Sequence, residues 1–374
     1  MLVCATTMRE SPAPASSSKH IAIIPGDGIG KEVIPEAVKV LKAAAAAGRS
    51  EVALTEFDWG SDRYLRDGTT LPTDAVEMFQ RDFDAILLGA MGDPRVPTNI
   101  HAAEILLGLR FKLDLYVNAR PCVLFDKQLT PLKGRTERDV NFVVFRENTE
   151  GLYVGMGGFF KKGTADEVAM QEDLNTRKGV ERIIRYAFEF ARHQGKKRVC
   201  MSDKSNALTF GHDLWQRVFK LVRAEYPEIE ASHQYIDNLL MQMVRDPSQF
   251  DVIVTSNLFG DIASDMGAAL AGGLGLAPSG NIHPGRVSLF EPVHGSAPNI
   301  AGKNMANPMG AVLAAGMMFA HLGWANEAQA IHEAVRAAIR EGKTPAELGG
   351  SLGTREVGDW LANAVSKSGV PRSN

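Results

Sequence analysis

The sequence predicts an α/β protein whose sheet is largely buried and mainly parallel. Two observations support this fold class. Short runs of aliphatic and β-branched residues recur along the chain, and each run ends in turn or helix-cap residues. Segments whose apolar residues have helical spacing lie between these runs. Continuous apolar strands that alternate with amphipathic helices are typical of a sheet with helices on both faces.

Six strands and three helices are predicted from these patterns. The strands are Ile21–Pro25, Val52–Phe57, Ala85–Gly89, Asn141–Arg146, Arg198–Ser202 and Val252–Ser256. A first helix begins near Pro35 and ends at Gly48, and a second presents Val180, Ile183, Ile184, Ala187 and Ala191 on one face before Gly195. The apolar stretch 308–325 lacks cationic flanks, so we interpret it as a buried core helix and expect no membrane span.

Composition excludes several classes of function. The 374-residue chain has a formal net charge of -3, which argues against a broad nucleic-acid or anionic-membrane surface. Its three cysteines, Cys4, Cys122 and Cys200, have no CxxC spacing, which favours a reduced, cytoplasmic compartment. Residues 1–19 lack the apolar run of a secretory signal and are expected to form a disordered leader.

Two carboxylates follow the strand that ends at Ser256. If a helix begins near Asp261, then Asp261 and Asp265 lie one turn apart on the same face. Two such oxygen donors suit Mg²⁺ or Mn²⁺. The alternative is that Asp261 only caps the helix and Asp265 is solvated. Asp237 follows another strand-like run but indicates nothing by itself.

Three arginines and one lysine are candidate ligands for an anionic substrate. Guanidinium groups pair with carboxylates in a bidentate way, so Arg110, Arg120 and Arg146 would suit a dicarboxylate. Their spacing does not show that they converge, and each alone is most simply a surface residue. Lys204 follows an apolar strand, where ligand sites gather in open α/β sheets. It could serve as a base beside a metal, or it could be an exposed residue at a strand end.

Two glycine-rich segments are candidate nucleotide loops. Gly26-Asp-Gly-Ile-Gly30 lacks the spacing of a Rossmann fingerprint, and a tight turn between strand and helix explains it as well. The long polar segment 291–308 would suit an adenosine and diphosphate, although its composition does not identify the ligand. A third segment, Gly155–Gly163, could form an extended arm.

Taken together, these segments resemble the β-decarboxylating dehydrogenase family, which includes isopropylmalate, isocitrate, homoisocitrate, tartrate and D-malate dehydrogenases. The resemblance extends from about Ile21 to Ala364. It depends on six motifs in order: Pro25–Val33, Leu109-Arg110 with Arg120-Pro121, Arg146–Tyr153, Asp203–Asn206, Asn257–Asp265 and Glu291–Pro298. The resemblance implies a two-domain fold with a large mixed, mainly parallel sheet flanked by helices, which is not a Rossmann fold.

The family also implies a domain division and an assembly. Residues 20–115 and 272–374 would form a large nucleotide-binding domain. Residues 116–271 would form a small domain with the arm and the dimer interface. The family forms homodimers whose two active sites are shared between the subunits.

Site roles follow from the resemblance alone. Arg110, Arg120 and Arg146 would bind the substrate carboxylates. Asp261, Asp265 and the partner subunit's Asp237 would bind Mg²⁺ or Mn²⁺. Lys204, aided by Asp237, would take the hydroxyl proton, and Tyr153 would protonate the enolate carbon after CO₂ leaves. The expected cofactor is NAD, bound by Asn206, His294, Gly295, Ser296, Ala297, Asn299 and Asn307.

The expected substrate is the 2-hydroxy dicarboxylate 3-isopropylmalate, converted to 4-methyl-2-oxopentanoate in leucine biosynthesis. Isocitrate enzymes place Ser and Asn where this chain has Glu104 and Leu106, and Leu107 lies alongside. Burying an isopropyl group against the leucines is worth roughly 2 kcal/mol, whereas an unpaired carboxylate there is unfavourable. D-Malate or tartrate is the alternative, since the form Arg146-Glu-Asn-Thr-Glu-Gly151 is common in those branches. A non-catalytic regulatory subunit is a third possibility.

One position departs from the pattern of NAD-dependent members. These usually have Asp where Asn299 stands, and the carboxylate accepts hydrogen bonds from both adenosine ribose hydroxyls. Asn also accepts hydrogen bonds but lacks the charge that repels a 2′-phosphate. NADP-dependent isocitrate enzymes tend to have Lys-Tyr in place of Asn299-Ile300, so NAD stays favoured. The preference for NAD over NADP is expected to be weaker than in members that have Asp at this position.

Overall fold

The computed structural model describes residues 18–368, which form twelve strands and twelve α-helices. The strands are β1 Lys19–Ile24, β2 Val52–Glu56, β3 Ala85–Leu88, β4 Val117–Val123, β5 Asn141–Glu147, β6 Gly157–Phe160, β7 Val168–Gln171, β8 Arg198–Asp203, β9 Glu230–Tyr235, β10 Val252–Thr255, β11 Pro278–Ile282 and β12 Ser288–Pro292. The helices are α1 Gly30–Gly48, α2 Ser61–Asp67, α3 Ala75–Asp82, α4 Ile100–Ala102, α5 Gly108–Lys112, α6 Arg177–His193, α7 Gly211–Arg223, α8 Ile236–Arg245, α9 Asn257–Leu270, α10 Met309–His321, α11 Ala325–Arg340 and α12 Thr354–Lys367. A π-helical segment, Ala103–Leu107, joins α4 to α5.

Ten strands form one mixed sheet in the order β2-β1-β3-β12-β11-β4-β5-β10-β8-β9. Its antiparallel pairs are β12–β11, β11–β4 and β4–β5 at the centre, and the remaining pairs are parallel. This confirms the predicted α/β class with a mixed, mainly parallel sheet. The strands on one side of the β11–β4 pair come from residues 19–88 and 278–292, and those on the other side from 117–255. The division into two domains stays a prediction.

Helices cover both faces of the sheet because alternate residues of each strand point to opposite faces. On β5, Val143 and Phe145 belong to the core that includes α6, whereas Phe142 and Val144 belong to the core beside α8 and α9. Near the other end of the sheet, α1, α10, α11 and α12 pack together. Every residue of α10 is buried, which confirms the buried helix predicted within 308–325. No helix in the described range is long and apolar enough to cross a bilayer.

Several predicted boundaries were wrong. β1 begins at Lys19, inside the segment predicted as a leader, and residues 1–17 lie outside the described range. α1 begins at Gly30, five residues before Pro35, because the carbonyls of Asp27, Gly28 and Ile29 already accept the first helical N–H bonds. The segment Gly155–Gly163, which was predicted as a possible arm, contains β6. This strand pairs with β7 in an exposed two-stranded sheet that is separate from the main sheet.

Candidate active site

The carboxylates of Asp261 and Asp265, both on α9, lie near the same guanidinium group, that of Arg120. α9 begins directly after β10, at Asn257, so Asp261 lies inside the helix and is not its N-cap. The predicted spacing assumed a helix that begins near Asp261, and the helix in fact begins four residues earlier, which leaves Asp261 and Asp265 one turn apart. Arg120 Nη1 lies 3.1 Å from Asp261 Oδ1 and 3.5 Å from Asp265 Oδ1. The two aspartates therefore point in one direction, as two ligands of a single ion must.

Adjacent antiparallel strands position Arg120 and Arg146. Asn118 of β4 lies opposite Arg146 of β5, and Arg120 is two residues further along β4. Both guanidinium groups therefore lie on the same face of the sheet. Both residues are buried, which excludes the surface interpretation. Arg146 contacts Asp261 and donates through Nε to Asn257 Oδ1 at 2.9 Å, and Arg120 donates to Ser264 Oγ at 2.8 Å.

Arg110 reaches the same region from α5. It is buried and donates to Glu291 Oε1 on β12 at 2.9 Å. Glu291 also accepts a hydrogen bond from Asn281, which accepts one from Asn118, the residue opposite Arg146. The charge of Arg110 also lowers the pKa of Arg146. Arg110 is therefore connected to the region of Arg120 and Arg146 through a chain of buried polar side chains.

The site perturbs its own ionisation. Burial, together with repulsion from Arg120 and Arg110, lowers the pKa of Arg146 to about 10. Burial raises the pKa of Asp261, but Arg146 and Arg120 outweigh burial, so its pKa lies below the usual value. For Asp265 burial prevails and the pKa is raised. A bound cation would favour the charged form of Asp265, because a nearby positive charge lowers the pKa of a carboxyl group.

Tyr153 lies against this cluster. It belongs to the 3₁₀ turn Leu152–Val154, and its hydroxyl donates to Asp261 Oδ2 at 3.0 Å. The guanidinium of Arg146 lies 4.9 Å from the ring centroid, within range of a cation–π contact. Burial raises the pKa of Tyr153 more than Arg146 lowers it. The phenol therefore keeps its proton near neutral pH.

Lys204 and Asp237 form a second cluster. They follow β8 and β9, which are parallel neighbours, so the two residues lie at the same edge of the sheet. Lys204 Nζ is 2.8 Å from Asp237 Oδ1, and the side chain of Asp237 is 68% exposed. The hydrogen bond from Lys204 lowers the pKa of Asp237. Among the described residues, no hydrogen bond or ion pair joins this cluster to Asp261 or Asp265.

The predicted nucleotide loop packs on the first glycine-rich turn. Ile29 N–H donates to Ser296 O at 2.9 Å. Gly28 has φ +51°, and a Cβ there would lie 2.1 Å from Ser296 O. Glu32 of α1 accepts from the backbone N–H groups of Gly302 and Asn304. The Gly26–Gly30 segment is thus a tight turn that supports the loop, which agrees with the structural alternative for that segment.

Two buried polar atoms in this loop lack a hydrogen-bond partner. These are His294 Nε2 and Asn307 Nδ2, although Asn307 Oδ1 accepts from Met309 N–H at 3.1 Å. Buried polar atoms are nearly always paired in native proteins. The two atoms therefore fit a loop that completes its hydrogen bonds with a ligand such as a nucleotide.

The other predicted cofactor residues are dispersed. Gly295 and Asn299 are exposed, while Ser296 and Ala297 are partly buried in the loop. Asn206 is exposed in a turn after β8. No hydrogen bond or ion pair in the described part of the chain joins Asn206 to the loop.

The predicted substrate leucines lie on the π-helical segment. Leu106 and Leu107 are partly buried, and Leu106 packs against a core that includes Ile105 and Leu109. The Thr70 hydroxyl donates to Glu104. π-Helical turns occur frequently at functional sites, since they turn side chains away from α-helical register.

Sequence reasoning missed the buried polar groups that hold the arginines. Glu291 is the partner of Arg110, and it also accepts from Asn281 Nδ2 at 2.8 Å. Asn281 Oδ1 in turn accepts from Asn118 at 3.1 Å and Asn148 at 2.9 Å. One usable signal was present, because Glu291 is a carboxylate inside the apolar run Ser288–Pro292.

Few other described residues could serve as metal ligands. Cys122 and Cys200 are buried free thiols, and burial raises their pKa values to about 12 and about 11. In residues 18–368, no group of three or more His, Cys, Asp or Glu residues is placed to hold one metal ion. One subunit thus offers Asp261 and Asp265 as a pair.

Fold and site together define an α/β enzyme with a cluster of buried arginines and carboxylates and a separate loop suited to a nucleotide. The family model for isocitrate/isopropylmalate dehydrogenase matches residues 20–361. The 3-isopropylmalate dehydrogenase of Thermobifida fusca is 47% identical over 93% of this chain and 98% of its own length. That of Streptomyces coelicolor is 47% identical over 94% and 99%. The chain belongs to the isocitrate/isopropylmalate dehydrogenase family.

A solved structure agrees. The crystal structure of isocitrate dehydrogenase from Methylococcus capsulatus superposes with a TM-score of 0.85 at 37% identity, covering 93% of this chain and 100% of that chain. The predicted family and fold are therefore confirmed. The roles assigned to individual site residues stay predictions.

Proposed function

We propose that this protein catalyses the NAD-dependent oxidative decarboxylation of 3-isopropylmalate to 4-methyl-2-oxopentanoate, with Mg²⁺ or Mn²⁺. The single observation that carries the proposal is the cluster of three buried arginines, in which Arg120 and Arg146 contact Asp261 of α9 and Arg110 pairs with Glu291 of β12. Curated relatives at 47% identity over nearly the whole chain carry the same activity in their names.

The charges of the pocket favour a dianionic substrate with a divalent cation. The three arginines are matched by three carboxylates, Glu291, Asp261 and Asp265. A divalent cation adds two positive charges to this balance, and a malate-type substrate supplies two negative charges. Burying charges without such compensation is unfavourable.

The residues of the chain support a stepwise mechanism. When bound, NAD supplies the hydride acceptor and a divalent ion supplies Lewis-acid polarisation of the 2-oxygen. The arginines hold the two carboxylates and so orient the C2–H bond. Lys204, held by Asp237, would act as the base in its neutral amine form, after losing its own proton, and would take the proton from the 2-hydroxyl as the hydride leaves C2. Loss of CO₂ from the β-carboxylate leaves a carbanion equivalent at C3, and Tyr153 donates the proton that completes the product.

The apolar side chains decide between substrates within the family. Leu106 and Leu107 offer burial to an isopropyl group, worth roughly 2 kcal/mol. A third carboxylate at that position would face leucines without a cationic partner, so isocitrate is disfavoured. D-Malate stays the second candidate because it needs only the arginines and the metal.

We propose a homodimer with shared active sites. Most of the large apolar side chains that are exposed in the described residues lie between Met156 and Ile262. They include both arm strands, where Phe159 and Phe160 are 60% and 62% exposed. The pair of partly buried Lys204 and exposed Asp237 would complete the partner's metal and substrate site. A cytoplasmic location stays a proposal, supported by two buried free thiols.

A substrate panel tests the proposal. Steady-state kinetics of purified protein with Mn²⁺ and NAD should give the highest kcat/KM for 3-isopropylmalate. A higher kcat/KM for D-malate or tartrate would overturn the substrate assignment. A homogeneous protein that forms no NADH with any of the malates would instead indicate a regulatory subunit. Replacing NAD by NADP in the same assay measures how far Asn299 relaxes the cofactor preference.

A further inference from the structure

We propose that His212 is a positioning residue that fixes Lys204 through its backbone amide, an inference that rests on the proposed role of Lys204 as the base. The Lys204 N–H donates to His212 Nδ1 at 2.8 Å. A ring nitrogen that accepts a hydrogen bond carries no hydrogen, so the imidazole is neutral and its proton is on Nε2. This fixes one tautomer of His212 in the working enzyme.

The hydrogen bond from Lys204 N–H to His212 Nδ1 joins the two ends of the loop 204–212. The carbonyl of Lys204 accepts from Ala207 N–H at 2.9 Å and Leu208 N–H at 2.8 Å. The backbone N–H of His212 donates back to Leu208 O at 3.1 Å. Phe210, in the middle of the loop, is 91% exposed within the subunit. The ring of His212 is therefore the internal anchor for the amide of Lys204.

The surroundings hold the ring rigidly and keep it neutral. His212 is 1% exposed, and its ring packs edge-on to Phe259 of α9 with centroids 5.4 Å apart. Its Nε2 lies 3.8 Å from Asp173 Oδ2. Burial lowers the pKa of His212 more than the nearby carboxylates of Asp203 and Asp173 raise it. The ring thus stays an acceptor at neutral pH.

Two substitutions separate the acceptor from the packing. His212→Phe keeps a ring against Phe259 but removes the acceptor, and His212→Asn restores an acceptor oxygen without the ring. We expect His212→Phe to lower kcat about tenfold or more, since small misplacements of a reacting group are costly. The KM for 3-isopropylmalate should change less than about threefold, because the arginine contacts survive. His212→Asn should recover most of kcat.

The matched control is His332→Phe. His332 is also buried, at 6% exposure, but it lies on α11 against Phe125. This variant should keep the wild-type kcat. If it lost as much kcat as His212→Phe, the effect would follow from removing any buried imidazole, and the proposal would be overturned.

Hydrogen–deuterium exchange of the intact protein gives a readout that needs no turnover. The Lys204 amide should exchange about tenfold or more faster in His212→Phe and at the wild-type rate in His212→Asn. Unchanged protection in His212→Phe would overturn the proposal. Equal losses of kcat in both His212 variants, in step with equal losses of Tm, would overturn it as well. A wild type that is inactive on every malate would refute the proposed function, while exchange would still decide the hydrogen bond.

Discussion

Removing the hydroxyl of Tyr153 is the most informative single change to this site. In Tyr153→Phe, the ring that faces Arg146 is retained, so the cation–π contact at 4.9 Å survives. The hydrogen bond to Asp261 Oδ2 at 3.0 Å is lost. A hydrogen bond to a charged acceptor contributes about 1.5–3 kcal/mol, and partial exposure of this pair favours the lower end. The fold should therefore survive, with Tm lower by a few degrees.

The effect on turnover should be much larger than the effect on stability. A positioned general acid contributes about 10²–10⁴-fold to rate. Because burial holds the pKa of Tyr153 above its usual value, the phenol is protonated throughout the neutral range. We expect kcat to fall at least about 100-fold while KM for 3-isopropylmalate stays within about threefold, since the arginines still bind the carboxylates.

Rapid-mixing measurement of NADH distinguishes the steps. Hydride transfer precedes protonation of the product, so Tyr153→Phe should show a fast first turnover of NADH followed by a slow steady state. An enzyme with raised KM and wild-type kcat would refute the acid role of Tyr153. Loss of the fast phase itself would show that the hydroxyl acts earlier, on hydride transfer.

Three further predictions concern pH, the substrate and the cofactor. Burial raises the pKa of Glu147 to about 7 from an ordinary 4.5, so the native protein holds an extra proton between these values and loses stability as pH rises through them. In Glu147→Gln, the decrease in the free energy of unfolding between pH 4.5 and pH 7, measured by urea titration, should be smaller by up to about 3 kcal/mol. The same decrease in the variant as in the wild type would exclude Glu147 as its source. Leu106→Asn should lower kcat/KM for 3-isopropylmalate about 30-fold, corresponding to about 2 kcal/mol of lost burial, and should leave D-malate nearly unaffected; equal losses for both would exclude an isopropyl contact. Gly28→Ala places a methyl group 2.1 Å from Ser296 O at φ +51°, so NADH fluorescence titration should show weaker binding, whereas wild-type affinity would separate this turn from the nucleotide loop.

Local pattern predicted the parallel strands well and the antiparallel centre poorly. β3 and β10 are uninterrupted apolar runs, and both were predicted. β4 and β11 were missed because they carry buried polar side chains. Asn118 on β4 donates to Ser279 Oγ at 2.8 Å and Asn281 Oδ1 at 3.1 Å on β11. Each strand looks too polar for a core until the other strand is placed beside it.

The site shows the same limit. The i, i+4 spacing of Asp261 and Asp265 predicted their shared direction, since helical periodicity is a local property. Convergence of Arg110 with Arg146 depends on how a helix meets a sheet, which no spacing encodes. Motif resemblance predicted a shared site, and the structure adds that Arg110 pairs with Glu291 while Arg146 contacts Asp261. The partners Glu291 and Ser264 were found only in three dimensions.

A crystal structure with Mn²⁺ and 3-isopropylmalate tests the central claim most directly. The account predicts one manganese anomalous peak coordinated by Asp261 and Asp265 of one subunit and by Asp237 contributed from the other subunit. The substrate carboxylates should be bound by Arg110, Arg120 and Arg146. A manganese peak away from α9, or a substrate that leaves the three guanidinium groups paired only with protein carboxylates, would contradict it.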